Sequence, residues 1–345
     1  FLIFSVILIH GKIFFKKIKM SFFLTFFYIL VVSSFSLFFF GKGSNQFLPL
    51  LIIVVSLISF EVVNLFYNLS LHKVSNKNEE GLISNLGWGF GYLGGLISLL
   101  IVFSFIQLTK HYEYQILGIS VFLLVGPFVG IWTLIFGYMH LRDFIKTVFD
   151  IPTLIDFFKN VKDENLLNFV YSYFFFNNAV VSIFAFAGMF ASFLFGLTES
   201  DILFLGVFIN LFGIVGCFSL GRMEDKIGSR RIISICIISL FICTISLYFV
   251  RNVLIFWIIA LIIGFFIGPI QASSRSVIAK HIKSKNQISA FCAFSMFGNM
   301  CAILGPFFVG FVIRLTNDVQ YGLLIIPLFL GLSIFPSLIR GKFNV

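Results

Sequence analysis

The chain has 345 residues, of which 59% are hydrophobic and only 11% are charged, and its mean hydropathy is +1.08. An ordinary soluble domain carries roughly 25% charged residues, so this composition excludes a globular protein with a water-facing surface. The net charge of +10 does not indicate nucleic-acid binding, because the basic residues fall in alternate segments between apolar runs. The composition therefore predicts an all-α protein embedded in a lipid bilayer.

Ten apolar runs are long enough to cross a bilayer, which takes about 20 residues in a helix. In chain order they are 20–40, 47–70, 83–109, 114–139, 166–195, 202–220, 232–250, 252–273, 286–313 and 319–338. Twenty of the 24 Lys and Arg residues lie in alternate loops, which is a strong positive-inside pattern. This pattern predicts a multi-pass membrane protein with residues 140–165 and the C-terminus in the cytoplasm.

An internal repeat relates the two halves of the chain. An offset of 210 residues places Gly11 on Gly221 and Gly95 on Gly305, and it aligns the apolar runs in the same order. On this register the first six-helix half lacks its first helix and about half of its second, so we expect the chain to be truncated at its N-terminus. Two pseudo-symmetric halves of six helices, enclosing a central path, are an architecture of secondary transporters.

The repeat and the longest polar interval together predict the domain boundaries. Residues 1–139 form an N-terminal transmembrane bundle, residues 140–165 a cytoplasmic linker between the bundles, and residues 166–345 a C-terminal bundle of six helices. About ten complete transmembrane helices are expected in total.

Polar residues inside the apolar runs are the candidates for a solute path. Glu61, Asn64 and Asn68 fall at i, i+3 and i+7 and so share one face of a helix. Glu61 is an acid well inside an apolar run, and either it binds a coupling proton or a solute ammonium group, or it is hydrogen-bonded inside the bundle. The remaining candidates, each of which has an interhelical hydrogen bond as its alternative role, are Asn85, Tyr92, Asn177, Asn178, Gln271 and Asn299.

Two apolar runs carry small residues that predict close packing of helices. The third run has glycines at i, i+4, i+7 and i+8, which puts them on one helix face, and the ninth run is its counterpart in the repeat. The residues concerned are Gly87, Gly91, Gly94, Gly95, Gly298, Gly305 and Pro306. These faces are either static contacts or surfaces that rock against a neighbour during transport.

A charged motif lies between the sixth and seventh apolar runs, where we expect a short cytoplasmic loop. Its sequence from Gly221 to Arg231 is GRMEDKIGSRR. This motif resembles the loop signature of the major facilitator superfamily, with Asp225 as its acid, Lys226 in place of the usual Arg, and Gly228 as its second glycine. The glycines permit a tight reversal between helices, and the acid suits a neighbouring helix N-terminus.

The eighth apolar run ends on a charge, because Arg275 follows it in the stretch GPIQASSRSVIAKHI from Gly268 to Ile282. A charge at lipid depth costs at least about 2.5–3.5 kcal/mol on insertion scales. We expect Arg275 to pair with Asp225 near the N-terminus of the 83–109 helix, and the alternative is that its side chain extends to the phosphate level. The predicted pair belongs to a conformational latch formed by Gly221, Asp225, Gly228, Arg230, Arg231 and Arg275.

Further stretches resemble the Atg22-like, or vacuole effluxer-like, branch of the superfamily. They are Phe66–Leu69, Ser84–Gly95, Gly268–Ser276 and the segment from Phe294 to Pro306. The resemblance implies a permease or effluxer of a bacterial inner membrane, with two six-helix halves and with amino acids as a solute class. The chain departs from the branch at Asn178 and Ala179, where an acid and a glycine are usual.

The sequence therefore predicts a secondary active transporter that moves a small polar solute, with the lipid bilayer and a coupling proton as further partners. It is expected to act as a monomer. No cofactor, metal site or enzymatic activity is predicted, because the histidines and cysteines show no ligand spacing. The alternatives are a membrane sensor or assembly protein that keeps the transporter fold, or the product of a decayed gene.

Overall fold

A computed structural model describes most of the chain. The described residues are 17–41, 47–76, 79–109, 115–116, 119–142, 148–150, 164–281 and 287–339. The chain divides into two compact units. The first unit consists mainly of Ile3–Ser70 and Ile97–Thr153, and the second mainly of Leu71–Leu96 and Leu154–Val345.

The N-terminal part of the chain supplies four long helices and four very short strands. The helices are α1 (Met20–Ser36), α2 (Phe47–Val74), α3 (Glu80–Thr109) and α4 (Val121–Arg142). The strands are β1 (Lys17–Lys19), β2 (Gln115–Ile116), β3 (Ile119–Ser120) and β4 (Val148–Asp150). Strand β1 pairs antiparallel with β4, and β2 pairs antiparallel with β3.

Close backbone approach holds α1 against α4 in the first unit. A Cβ atom built on Gly126 would lie 2.6 Å from the backbone oxygen of Ser34, so only glycine fits there. A Cβ atom on Gly137 would lie 2.6 Å from the ring of Phe27, which is fully buried. Small residues at such crossings let membrane helices pack by van der Waals contact.

The C-terminal part of the chain folds into seven helices. They are α5 (Glu164–Phe195), α6 (Glu199–Ile227), α7 (Ser229–Phe249), α8 (Val253–His281), α9 (Gln287–Thr316), α10 (Val319–Leu323) and α11 (Ile325–Ile339). Helix α8 packs against both α6 and α7, while α5 packs against α9 and α11. The core of the second unit lies between these helices.

Within the described ranges, nine helices are long and apolar enough to cross a membrane. Large apolar side chains on their outer faces are exposed, as lipid-facing side chains are. The predicted tenth span, 319–338, is instead a shorter apolar stretch divided between α10 and α11 at Leu324. Pro327 lies in the first turn of α11, where its missing N–H is tolerated, and so favours a new helix start.

The prediction of a loop at Gly221–Arg231 is wrong. Helix α6 continues to Ile227 and α7 begins at Ser229, so Gly228 alone joins the two helices. Gly228 has φ +96°, a conformation that L side chains rarely adopt, and its N–H donates to the backbone oxygen of Glu224. The charged residues of the motif therefore lie at the ends of two helices, and the two acids, Glu224 and Asp225, bond to neighbouring helices.

Candidate functional site

Polar and charged side chains meet in the second unit at the end of α6. They come from the first turns of α3, the last turn of α6 and the last turns of α8. We call this group the latch cluster, and it consists of Gly81, Ser84, Asn85, Glu224, Asp225, Arg275 and Lys280.

Asp225 lies at the N-terminus of α3. Its two carboxylate oxygens accept hydrogen bonds from the backbone N–H groups of Gly81 at 3.0 Å and Leu82 at 2.8 Å. The first N–H groups of a helix have no partner inside the helix, and the helix dipole favours an anion there. Asp225 therefore acts as a capping residue supplied by a different helix.

The first turn of α3 comes unusually close to the two acids of α6. A Cβ atom built on Gly81 would lie 2.7 Å from Asp225 Oδ1 and 2.7 Å from Glu224 Cδ. One turn further on, a Cβ atom on Gly221 would lie 2.6 Å from Asn85 Cβ. Gly221 was predicted to permit a chain reversal, but it lies inside α6 and allows this close helix contact instead.

Lys280 is the cation that the structure shows on Asp225. Its Nζ atom lies 3.2 Å from Asp225 Oδ1 and 3.7 Å from Glu224 Oε1, and it also donates to Ser229 Oγ at 3.1 Å. Sequence analysis missed Lys280 because the eighth span was predicted to end at residue 273, whereas α8 continues to His281. The extra two turns bring Lys280 back to the end of α6.

Arg275 bonds α8 to α3. Its Nε donates to Ser84 Oγ at 3.0 Å and its Nη2 to the backbone oxygen of Ser84 at 3.1 Å. Ser84 Oγ in turn donates to the backbone oxygen of Ala272 at 2.6 Å. Arg275 is only 3% exposed, so the protein rather than lipid surrounds its charge. The ion pair that sequence analysis expected between Arg275 and Asp225 stays a prediction.

Glu224 is a fully buried acid that sequence analysis also missed. Its carboxylate accepts hydrogen bonds from Asn85 Nδ2 at 2.6 Å, from Ser273 Oγ at 2.7 Å and from Ser276 Oγ. The adjacent acids of the motif were the signal, but only Asp225 matches the superfamily signature. Asn85 thus makes an interhelical hydrogen bond, which was the alternative role considered for it, and its place on a solute path stays a prediction.

The remaining basic residues of the predicted latch lie just beyond Gly228. Arg230 is half-buried and Arg231 is exposed, both in the first turn of α7. Lys226, in the last turn of α6, is exposed as well. This end of the second unit therefore carries a basic surface around a buried acid.

Two of the predicted solute-path residues meet one to two turns deeper. Tyr92 Oη donates to Gln271 Oε1 at 3.4 Å, which joins α3 to α8. Glycines make room for the tyrosine ring, since a Cβ atom on Gly268 would lie 3.0 Å from it and one on Gly213 would lie 3.6 Å from it. The Tyr92–Gln271 hydrogen bond thus extends the polar contact between α3 and α8 beyond the Arg275–Ser84 hydrogen bonds.

A second polar group lies between α5 and α9, at the middle of both helices. Asn178 Nδ2 donates to Phe174 O at 2.7 Å and to Cys301 Sγ at 3.2 Å, while Asn178 Oδ1 has no hydrogen-bond partner among the described residues. Asn177 is also buried. On α9, the half-buried Asn299 donates to the backbone oxygen of its own helix at Ser295. This group is neutral.

Glycines on α9 face this neutral group. A Cβ atom on Gly305 would lie 2.6 Å from Asn178 O and 2.7 Å from Ser182 Oγ, and one on Gly298 would lie 3.0 Å from Tyr173 Oη. Pro306 follows inside the helix and is half-buried. The helix packing predicted for this glycine set is therefore present at Gly298 and Gly305.

The glycine face predicted on α3 behaves differently. Cβ atoms built on Gly91, Gly94 and Gly95 would meet no described heavy atom within 4 Å, so these positions form no close contact with a described helix. Gly89, on the side that carries Asn85, meets α6 instead, with its Cβ atom 2.5 Å from the Phe218 ring. Periodicity showed which glycines share a face but not which face meets a neighbour.

The first unit holds the third set of predicted residues, which lie on α2. Glu61 and Asn64 are half-buried and Asn68 is 7% exposed. Closer to the start of α2, Ser56 Oγ and Ser33 Oγ on α1 share a hydrogen bond of 2.6 Å. Polar groups thus occur along α2 inside a candidate membrane span.

Two other kinds of site, a metal site and a ligand cavity, receive little support from the described residues. Among the residues that the structure describes, no three His, Cys, Asp or Glu side chains are grouped to hold a metal ion. A cavity between α5, α6, α8 and α11 is lined by apolar side chains such as Phe190, Phe195 and Phe256. The hydroxyl of Thr244 at this cavity already donates to the backbone oxygen of Leu240.

A known family matches most of the chain. The family described as vacuole effluxer Atg22 like matches residues 69–340. A similar protein is the uncharacterized MFS-type transporter YxiO of Bacillus subtilis, 26% identical over 309 residues, which cover 86% of this chain and 71% of that protein. The proton-coupled antiporter flippase LtaA of Staphylococcus aureus is 31% identical over 118 residues, 32% of this chain and 30% of that protein.

Solved structures show the same fold at low sequence identity. The transporter FucP of the major facilitator superfamily, in its outward conformation, has a TM-score of 0.75 at 11% identity, and the match covers 97% of this chain and 86% of that one. A bacterial homologue of the iron transporter ferroportin, in an outward-facing state, has a TM-score of 0.65 at 13% identity, with 95% and 85% covered. The predicted all-α bundle of the major facilitator type is confirmed.

Proposed function

Since the chain belongs to the vacuole effluxer Atg22-like family of the major facilitator superfamily, we propose that it moves a small polar solute across a membrane by alternating access. The family and the fold are those of multi-pass secondary transporters rather than of enzymes. Amino acids are the solute class that we propose, because the resemblance to the Atg22-like branch implies them and the buried polar groups include amides, hydroxyls and both acidic and basic side chains.

The latch cluster is the observation that carries the proposal of alternating access. The seam between α3 and α8 includes the Arg275–Ser84 hydrogen bonds, and Asp225 ties the start of α3 to α6. Contacts of this kind can exchange their partners for water, whereas a tightly interdigitated apolar core cannot open without losing buried area. We propose that α3 leaves α6 and α8 in one half of the transport cycle and returns in the other.

The internal repeat offers an explanation of why α3 would move relative to α6 and α8. It assigns α3 to the N-terminal bundle at 1–139, separated from the C-terminal bundle at 166–345 by the 140–165 linker. Residues Leu71–Leu96 nevertheless pack within the second unit. A helix that belongs to one repeat and is held by the other is suited to transmit a rocking motion between halves.

The orientation of the protein in the membrane that we propose follows from the positions of its basic residues. Exposed Lys226 and Arg231 flank the latch cluster, and basic loops remain on the cytoplasmic side of bacterial inner membranes. The latch cluster would then close the cytoplasmic end of the solute path, with the linker and the C-terminus on the same side.

Proton coupling is the energy source that we propose. Glu61 is a half-buried acid inside a candidate span, and intramembrane acids of this kind commonly bind protons or cationic solutes. A relative that matches about a third of the chain is named a proton-coupled antiporter. Asn64 and Asn68 on the same helix face, with Asn177 and Asn178 on α5, would bind the polar groups of the solute.

The proposal is tested by solute flux. Cells or vesicles that contain the protein are loaded with a panel of radiolabelled amino acids, with and without a collapsed proton gradient. We expect gradient-dependent flux of at least one solute, and a Glu61→Gln variant that loses the dependence on the gradient. A matched control is Asn210→Gln, which changes a polar residue of α6 that donates only to its own helix.

Two results would contradict the proposal in different ways. Flux that persists without a gradient and is unchanged by Glu61→Gln would exclude Glu61 as the coupling site. Absence of flux for every solute, in protein shown to be folded and inserted, would favour a sensor or assembly protein with the transporter fold.

A further inference from the structure

We propose that Glu224 is the main residue that holds α3 against α6 and α8. Glu224 is the acid next to Asp225, the acid of the motif, and it acts as the positioning residue that sets how often the latch cluster opens. This inference rests on the proposed function, because it assigns the control of the transport cycle to a residue that touches no solute. It goes beyond the superfamily signature, in which Glu224 has no counterpart.

Both carboxylate oxygens of Glu224 are used, and they join three helices. Oε2 accepts from Asn85 on α3 at 2.6 Å and from Ser273 on α8 at 2.7 Å. Oε1 accepts from Ser276 on α8 and lies 3.7 Å from Lys280 Nζ. Since Glu224 itself belongs to α6, a single side chain bonds to α3 and α8 at once.

The contacts extend to a fourth helix through a serine. Ser276 Oγ lies 3.0 Å from Ser229 Oγ, at the start of α7, and Ser229 also accepts from Lys280. Asn85 is oriented by its own helix, because its Nδ2 donates to Gly81 O at 2.9 Å as well as to Glu224. The amide therefore presents a donor to the carboxylate whenever α3 is in place.

Burial distinguishes Glu224 from its neighbour. The Glu224 side chain is 0% exposed, whereas the Asp225 side chain is 16% exposed and the Lys280 side chain 22%. Water can reach the partly exposed Asp225 carboxylate as its partners leave, so opening costs Asp225 less than it costs Glu224. Glu224 must lose a hydrogen bond before water reaches it, and a buried charge left without a partner is strongly unfavourable.

The residues that surround the Glu224 carboxylate fit it in size and in hydrogen bonding. Glycine at position 81 leaves space for the Glu224 side chain, and glycine at position 221 leaves space for Asn85. Ser273 and Ser276 are fully buried and place their hydroxyl groups on the same acid. Four positions on three helices are thus matched to one residue that the family signature does not include.

The test measures how often the latch cluster opens. The reporter is a cysteine at position 271, introduced as Gln271→Cys after the native cysteines have been replaced with serine. This position is half-buried and lies beside Tyr92. Inside-out vesicles are treated with a membrane-impermeant maleimide, and the labelling rate is compared between Glu224→Gln and Asp225→Asn. Both substitutions remove one charge and keep the shape of the side chain.

We expect Glu224→Gln to raise the labelling rate by about tenfold or more, as for the loss of hydrogen bonds to a charged group. Asp225→Asn should raise it by only about two- to fivefold, as for the loss of a partly exposed charge at a helix N-terminus. A second reporter, Ala191→Cys in the fully buried part of α5, should stay unlabelled in both variants, which shows that they are folded.

A double-mutant cycle gives the positioning role its own signature. Asn85→Ala removes the partner of Glu224 on α3, and the double variant Glu224→Gln with Asn85→Ala should be labelled no more than about twofold faster than Glu224→Gln alone, because both changes break the same contact. Equal or greater labelling in Asp225→Asn, or multiplied effects of the two substitutions in the double variant, would overturn the inference. Absence of solute flux in the parent protein would instead contradict the proposed function.

Discussion

Two polar groups in the second unit differ in their place along the helices. The latch cluster lies where α3 begins and where α6 and α8 end, and it contains the charged residues Glu224, Asp225, Arg275 and Lys280. The group between α5 and α9 lies at the middle of both helices and is made of amides, hydroxyls and a thiol.

The difference reflects what each location can provide. Helix ends offer unpaired backbone groups, helix dipoles and access to water, so charges there can be stabilised and also released. The middle of a membrane helix offers none of these, and a charge there is expensive. We therefore propose that the latch cluster opens and closes, and that neutral residues such as Asn177 and Asn178 contact the solute.

The largest expected effect is at the neutral group. Gly305→Ala would place a methyl group 2.6 Å from the backbone oxygen of Asn178, so α9 must move away from α5. We expect a loss of stability of about 1–3 kcal/mol, as for overpacking of a tight contact, and a large loss of flux. Thermal unfolding of the purified protein and the flux assay measure these effects.

The matched control for that change is on the same helix. A Cβ atom on Gly310 would meet no described heavy atom within 4 Å, so Gly310→Ala should leave both stability and flux unchanged. If the two variants behaved alike, the close contact between α5 and α9 would not limit transport, and the assignment of solute contact to this face would lose its support.

A smaller effect is expected at the latch cluster from Lys280→Met. The change removes the ion pairs with Asp225 and Glu224 while it keeps most of the side-chain length. Because Lys280 is partly exposed, we expect the closed state to lose only about 1 kcal/mol, and less in high salt. Labelling of the Gln271→Cys reporter at low and high salt measures this loss.

Lys226→Met is the control, because Lys226 is an exposed cation in the last turn of α6. It removes the same charge from the same end of the unit. If Lys226→Met raised the labelling rate as much as Lys280→Met, the effect would come from general surface charge rather than from the ion pair on α8.

The smallest effect is expected from Gly91→Ala on α3. No described atom lies within 4 Å of its Cβ position, so stability should change by less than about 0.5 kcal/mol. The flux assay makes this change informative, because the glycine face was predicted to rock against a neighbour. Lost flux with unchanged stability would show that the face forms a contact in another conformation.

The membrane spans and the fold could be predicted from the sequence because their signal is local. Runs of apolar residues and alternating basic loops require no knowledge of neighbours. The position of Asp225 beside the start of α3 was also predictable, since a glycine-flanked acid suits a helix N-terminus. These features follow from one segment and one physical rule.

The features that were missed depend on neighbouring helices. The charges in GRMEDKIGSRR were interpreted as a loop, but α6 continues because Glu224 and Asp225 find donors on α3 and α8. For the same reason α8 passes Arg275 and reaches Lys280. A charge next to an apolar run indicates either the end of a helix or a buried partner, and only the packed structure distinguishes them.

Separation of α3 from α6 is the central claim, and a disulfide tests it directly. A Cβ atom on Gly89 would lie 3.3 Å from Cys217 Cβ, close to the spacing of about 3.5–4.5 Å in disulfides. Gly89→Cys is combined with Phe218→Ala, which makes room for the new side chain, and with serine at the other native cysteines. Gly91→Cys in the same background is the control, since its Cβ position has no described heavy atom, Cys217 included, within 4 Å.

Solute flux is then measured before oxidation, after oxidation and after reduction of the same vesicles. Our account predicts that oxidation abolishes flux in the Gly89→Cys protein, that reduction restores it, and that the Gly91→Cys protein is unaffected. Full flux through protein in which α3 and α6 are quantitatively cross-linked would contradict the account.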